Sequence, residues 1–339
     1  MHMMKSLRLS IALGFAWIVS THAAECCTIP VFRYALDRWE ADRFRLVVAA
    51  PTAARPEIVD LLRPLRAGGV ANLDITTSKD AAVTETRLYA AKNGETPVWS
   101  GELNAPSLAA LLDSPARKQI LEHVLAGDSV TWVVVDDGAE HAERIAKRLS
   151  FLEQAAALPI QDPDDPDSQL GPGPELRLKF RVLHLKLSDA AEKPLFGMLA
   201  GPDGKVRPDQ PFAAAVFARG RVLSAFPLDA LDDATLEEAC MFLIGRCSCR
   251  VKDQNPGWDV LMNVDWAKAL EKAGAERKSA ATTAAVKAET PKAAPEVSTI
   301  TAEATPPPPT PVVEGPWFLW GSVGGALVVL VIAAIRRFV

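Results

Sequence analysis

Five cysteines carry whatever thiol chemistry this chain has: Cys26, Cys27, Cys240, Cys247 and Cys249. Cys240 falls on the ridge Leu236, Cys240, Leu243 of an expected helix and reads as a buried core thiol. The other four form two clusters at opposite ends of one region, Cys26-Cys27 and Cys247-Ser248-Cys249. In an oxidising compartment pairing is the default. Adjacent cysteines bridge one another poorly and Cys-x-Cys closure is strained, so the simplest arrangement links cluster to cluster. A second reading makes Cys27 reactive. Pro30 suits a first helical turn, and Phe32, Ala35, Leu36 and Trp39 follow at helical spacing. Cys27 then precedes a helix N-terminus, where the dipole favours thiolate, with Cys247 or Cys249 as resolving partner. There is no Cys-x-x-Cys. A third reading gives the thiolates to Zn²⁺ or Cu(I). His123, His141 and His184 sit in separate elements, so such a site would be all-sulfur.

The compartment follows from the two ends. Residues 1–24 have a basic start at Lys5 and Arg8, a short apolar core over 9–20 and small residues before a cleavage point, the pattern of a secretory signal. Acylation of Cys26 is disfavoured by Glu25, which stands where a small residue is needed. Residues 317–335 carry no charge and are long enough to cross a bilayer core of ~30 Å. Trp317 and Trp320 suit an interfacial belt, and Arg336-Arg337 open a cytoplasmic tail, 336–339. The expectation is a single-pass protein of the inner (cytoplasmic) membrane, with its folded domain on the periplasmic or extracytoplasmic side.

Between the ends, 25–158 and 175–270 read as two α/β halves. The segment 159–174 between them holds Asp162-Pro163-Asp164-Asp165-Pro166-Asp167 and reads as an acidic, proline-rich hinge. Its carboxylates are of the right type for Ca²⁺, but the prolines and the lack of a glycine-turned Asp-x-Asp-x-Asp loop favour a solvated connection. Strands are expected at 44–49, 71–77, 130–135, 176–187, 212–217 and 222–226. Helices are expected at 56–66, 108–112, 115–125 with Ser114 as cap, 139–155, 190–199, and 234–245 capped by Asp233. A strand and a helix followed by a hairpin and a helix fit a mixed sheet of thioredoxin-like order in one or both halves. Residues 271–316, rich in Ala, Thr, Pro, Glu and Lys, read as a disordered linker.

Two stretches are specific enough to compare: Cys27-Thr-Ile-Pro-Val-Phe-Arg-Tyr-Ala-Leu-Asp-Arg-Trp39 and Cys247-Ser-Cys-Arg-Val-Lys-Asp-Gln-Asn-Pro-Gly257. Together they resemble a family of exported bacterial envelope proteins to which no activity is attached. The resemblance implies that the two cysteine clusters belong to one feature, with Arg33, Arg38 and Asn255 as a surface patch beside it. A plainer account pairs the arginines with Asp37 or Asp42 and makes Asn255-Pro256-Gly257 a turn.

No P-loop, His-Glu-x-x-His, Gly-x-Ser-x-Gly or dinucleotide fingerprint occurs. Asp136-Asp137 ends a strand, where α/β proteins often place functional carboxylates, although helix capping explains the pair as well. A net charge of −5 with interspersed signs offers no surface to nucleic acid. The sequence therefore points to a tethered accessory or scaffold domain with an envelope protein partner, no resident cofactor and no catalytic residue. The alternative is a thiol–disulfide or metal-handling protein using Cys27 with Cys247 or Cys249.

Overall fold

Alternation sets the first sheet. In β1 (Phe44–Val48), Phe44, Leu46 and Val48 point inward and Arg45 and Val47 lie toward the surface, the two-residue period of a half-buried strand. β2 (Leu73–Thr77) lies parallel to β1, with Phe44 opposite Leu73 and Val48 opposite Thr77. Parallel neighbours need a crossover, supplied here by α1 (Ala50–Ala53) and α2 (Pro56–Arg66). Pro56 opens α2 where its missing N–H costs nothing, and Ile58 and Leu62 are buried. β3 (Thr86–Tyr89) returns antiparallel beside β1, and β4 (Trp99–Gly101) pairs antiparallel with β3. The order is β2-β1-β3-β4.

The computed structural model describes residues 28–80, 82–91, 96–162, 164–247 and 251–289, which form two mixed sheets with helices, an α/β architecture. A helix precedes the first sheet at Val31–Arg38, called αN below. Cys26, Cys27 and Cys249 lie outside the described residues, as do the expected signal 1–24, the span 317–335 and the tail 336–339. Among the described residues no helix is long and apolar enough to cross a membrane.

α3 (Ala105–Leu112) and α4 (Pro115–Leu125) connect the sheets. Asn104 and Ser107 exchange side-chain and backbone hydrogen bonds, both at 2.9 Å, so that two orphan N–H groups at the start of α3 are satisfied. Ser114 caps α4 by accepting the Arg117 N–H at 3.3 Å.

The second sheet is built on β5 (Val130–Val135), buried at every residue, which explains its unbroken apolar run. β6 (Phe180–Leu185) is its parallel neighbour, reached through α5 (Glu140–Ala155). After α6 (Lys193–Ala200), the hairpin of β7 (Phe212–Phe217) and β8 (Arg221–Pro227) joins on the other side of β5, and β9 (Trp258–Asp259) adds at the edge. The order is β6-β5-β7-β8-β9. Gly220 in the hairpin turn has φ +86°, and a Cβ there would stand 2.8 Å from Met262 Cγ, so only glycine fits. α7 (Asp233–Ile244) follows β8, and α8 (Trp266–Glu289) closes the described chain.

One segment touches both sheets. β9 pairs with β8, Val260 N–H donates to the Gly220 carbonyl at 2.9 Å, and Asn263 then bridges to Ala71 just before β2.

Four expectations are corrected. The linker expected over 271–316 begins as helix: α8 runs through Glu289 and buries Leu270 and Ala273. An Ala-, Glu- and Lys-rich stretch is as good a helix former as it is a poor core former. The segment 159–174 joins α5 to β6 within the second sheet, since β5 pairs with β6 across it. The strand expected over 176–187 is confined to β6, and the cap of α7 is Asp232, which accepts the Thr235 N–H at 2.8 Å, with Asp233 the first helical residue.

Candidate functional site

The chain's two motifs meet. αN begins after Pro30, and its Val31 N–H donates to the Gly245 carbonyl at 3.0 Å. Cys247 N–H donates to the Ile29 carbonyl at 3.0 Å, and Pro30 and Arg246 form an antiparallel bridge between these bonds. The segment 29–31 is thus stitched to the end of α7, and Cys247 is buried there. Thr28, the first described residue, donates its hydroxyl to Ser168 Oγ at 2.7 Å, and Gln161 Nε2 donates to the Thr28 carbonyl at 3.0 Å. The acidic segment therefore wraps the start of the folded chain. Its carboxylates hold their own turns: Asp162 Oδ1 accepts the Asp164 N–H at 2.9 Å, and Asp165 Oδ2 accepts the Ser168 hydroxyl.

Arg33, expected on a surface patch, is 1% exposed. Its Nε donates to Asp37 Oδ2 at 2.9 Å, its Nη2 to the Gly171 carbonyl at 3.0 Å and its Nη1 to the Pro174 carbonyl. Asp37 in turn accepts the Gly171 N–H at 2.8 Å. A Cβ on Gly171 would lie 2.7 Å from Asp37 Cγ, so the close approach itself demands glycine. Arg38 donates to the Gln169 carbonyl at 3.1 Å and lies over the Tyr34 ring. Asn255 donates through Nδ2 to the Val251 carbonyl, and its own carbonyl accepts from Arg221. Arg33 is therefore no part of a surface; in a helix as buried as αN, a long cation reaches backbone carbonyls instead of water.

The second motif ends in a buried ionic group. Arg221 and Asp259, each side chain 3% exposed, pair at 3.2 Å. Arg221 Nη2 also reaches the carbonyls of Asn255, Pro256 and Gly257, all at 3.1 Å. Asp259 Oδ2 accepts the Asp42 N–H at 2.6 Å and an N–H of Lys252, which itself pairs with Asp42 at 3.0 Å. The Arg221 guanidinium lies 5.5 Å from the centre of the Trp39 ring. Arg219 closes the C-terminal end of αN by donating to the Leu36 carbonyl at 2.9 Å. Pairing and hydrogen bonding of this extent offset much of the cost of burying the charges.

At the carboxyl ends of β5 and β6 a second group forms. His141 Nδ1 lies 2.8 Å from Asp136 Oδ2, and His184 Nε2 lies 3.0 Å from the Asp136 carbonyl. Burial pushes the Asp136 carboxyl up, but the His141 hydrogen bond, the Gly138 N–H and the His141 charge together outweigh it and hold the group below its usual range. The helix cap is Ala139, so the carboxylate orients an imidazole instead of capping α5. Ser188 donates its hydroxyl to Asp137 Oδ1 at 3.0 Å, so it is held by a different carboxylate from the one that orients His141. The signal for this pairing was a histidine in the first turn after a strand-terminal aspartate. Among the described residues no group of three or more His, Cys, Asp or Glu side chains converges as a metal site.

Cys240 is a buried thiol, pushed up to about 12 by desolvation against a hydrogen bond from the Trp132 indole at 3.4 Å. No protein-family model, curated protein or solved structure matches the chain.

Proposed function

We propose that this is a membrane-tethered extracytoplasmic accessory or scaffold protein of an envelope complex, kin to exported bacterial envelope proteins that share its two motifs. In this reading 1–24 is an export signal, 317–335 an inner-membrane anchor, and the folded region is clamped by disulfides between Cys26-Cys27 and Cys247-Cys249. The observation that carries it is the Pro30–Arg246 bridge. It joins the segments that bear the two clusters, three residues after Cys27 and three before Cys249. The buried group of Arg221, Asp259 and Lys252 then ties both motifs to the sheets.

Each sheet pairs its first two strands in parallel, with the third antiparallel to the first and the fourth antiparallel to the third. That order supports a thioredoxin-like fold for both. Thioredoxin-type chemistry places its cysteines between the first strand and the next helix; here 49–55 and 136–140 contain none. This favours a scaffold over an oxidoreductase. The second reading, thiol–disulfide or metal-handling chemistry by Cys27 with Cys247 or Cys249, draws on the same bridge.

A redox titration of the full chain from detergent-solubilised membranes, with peptide mapping of the bridges, separates the two. A cluster-to-cluster bridge with a potential below roughly −300 mV supports the clamp. A potential near about −200 mV with one accessible acidic thiol moves the assignment to redox chemistry. Protease accessibility of the folded region in intact spheroplasts tests the topology: protection would overturn the extracytoplasmic placement.

A further inference from the structure

Arg117 is a buried charge whose surroundings leave it unfinished. It is 2% exposed, yet no carboxylate among the described residues stands within ion-pair distance of it. Its Nη1 donates to the Ala110 carbonyl at 3.1 Å, and its Nη2 reaches only the thioether sulfur of Met198 at 3.5 Å. The Nε, also buried, has no hydrogen-bond partner. Glu192 is buried nearby but spends one oxygen on the Ala116 N–H at 2.9 Å, while the other has no partner. Burial depresses the Arg117 guanidinium to about 10, against the upward pull of Glu192 and Asp113.

Arg117 lines a cavity of about 170 Å³ at the turn between α3 and α4. Leu112 and Leu121 supply apolar wall from the helices, and Met262 and Val264 supply it from the segment that joins the sheets. Lys118 adds a second cation; Asp113, the one carboxylate in the wall, is already held by Lys118 at 3.1 Å and by the Ser114 N–H at 2.8 Å. A cavity of ~150 Å³ accommodates benzene, so the space suits a ligand of about six or seven non-hydrogen atoms.

We propose that this cavity is a binding site for a small organic monocarboxylate, its carboxylate on Arg117 and Lys118 and its short apolar tail against Leu112, Leu121, Met262 and Val264. An anion there adds a directly hydrogen-bonded carboxylate to the longer-range pull of Glu192 and Asp113, and a guanidinium fork suits a carboxylate. An apolar pocket with a few convergent polar groups is the general form of a small-ligand site.

The test is calorimetric titration of the full-length chain in detergent with sodium pentanoate, and with 1-pentanol as the uncharged probe of similar length. The expected result is saturable one-to-one binding of pentanoate, with 1-pentanol weaker by at least about tenfold, the worth of one charge-assisted hydrogen bond. Val264→Phe, which fills the cavity without touching the charges, is expected to abolish binding while the circular dichroism melt stays close to that of the parent. Arg117→Gln is expected to weaken pentanoate and leave 1-pentanol unchanged. Absence of saturable pentanoate binding overturns the proposal, as does equal affinity for the two probes. Undiminished binding to a folded Val264→Phe chain overturns it too, because the ligand would then sit elsewhere.

Discussion

Asn72 Oδ1 accepts the backbone N–H of Met262 at 2.8 Å, joining the edge of the first sheet to the chain that leaves the second. The same side chain donates through Nδ2 to the Asp42 carbonyl at 2.8 Å and the Val260 carbonyl at 3.1 Å. One buried amide therefore satisfies three backbone groups from two other segments. Asn72→Ala would strand all three and is expected to cost about 2–4 kcal/mol. Asn72→Asp should cost at least as much, because a carboxylate would face two carbonyl oxygens. Urea unfolding followed by tryptophan fluorescence measures both; a loss under about 0.5 kcal/mol, the range of an ordinary surface change, would contradict the bridging role.

The Arg221–Asp259 pair gives an asymmetric expectation. Removing Asp259 leaves Arg221 buried without its carboxylate and Lys252 with Asp42 alone, a change expected to cost roughly 3–5 kcal/mol. Lys252→Met removes one of the two cations on Asp259 and leaves the Arg221 pair intact, so its cost should be smaller. Denaturation midpoints of the two variants at one pH rank them directly. The reverse ranking would show that Lys252, not Asp259, anchors the group.

The Cys240 thiol should be silent in the folded chain. Desolvation pushes it to about 12, so at pH 8 almost none is thiolate, and the sulfur is fully covered. Alkylation with iodoacetamide at pH 8, read by peptide mass, is expected to spare Cys240 natively and label it in urea. Native labelling would mean that α7 opens readily from the sheet.

His123 makes stability depend on pH in a definite direction. Desolvation, then the Arg181 charge, lower its folded value below 6.5; Asp128 and Glu122 oppose them and lose. Its Nδ1 lies 3.0 Å from Thr131 Oγ1. The unfolded chain therefore takes up the proton first as pH falls. The contribution is complete above pH 6.5 and declines from there down through the lower folded value. His123→Gln should flatten unfolding free energy against pH in that interval, and an unchanged slope would remove His123 from the account. Asp136 acts lower on the scale, with its contribution present above 3.8 and lost as pH falls through its depressed folded value.

Local patterns were the legible part. Pro56–Arg66 and Pro115–Leu125 follow from apolar spacing with a proline at the first helical position, and Ser114 caps where its type says it should. The hairpin Phe212–Phe217 with Arg221–Pro227 follows from two apolar runs around Ala218-Arg219-Gly220. β3 was not legible, because in four residues only Thr86 and Leu88 are buried, too little alternation to stand out. β4 is shorter still and holds no buried residue. The fate of Arg33 was hidden for a different reason. Its oxygen acceptors at Gly171 and Pro174 are backbone atoms well over a hundred positions away, which no local period encodes. Arg117 was hidden similarly: helical spacing places it on α4, but only tertiary packing decides that its charge goes unmatched.

The anchoring of αN carries a consequence for how the chain is made. The helix is made well before its partners: Asp42 waits for Asp259 across 217 positions and Leu36 for Arg219 across 183. Until those late segments arrive, Phe32, Leu36 and Trp39 have no cover on that side. While those 217 positions are made, αN is thus a sticky, unfinished surface. A holding chaperone that binds this helix would suit the interval, and release would come only when the last strand docks.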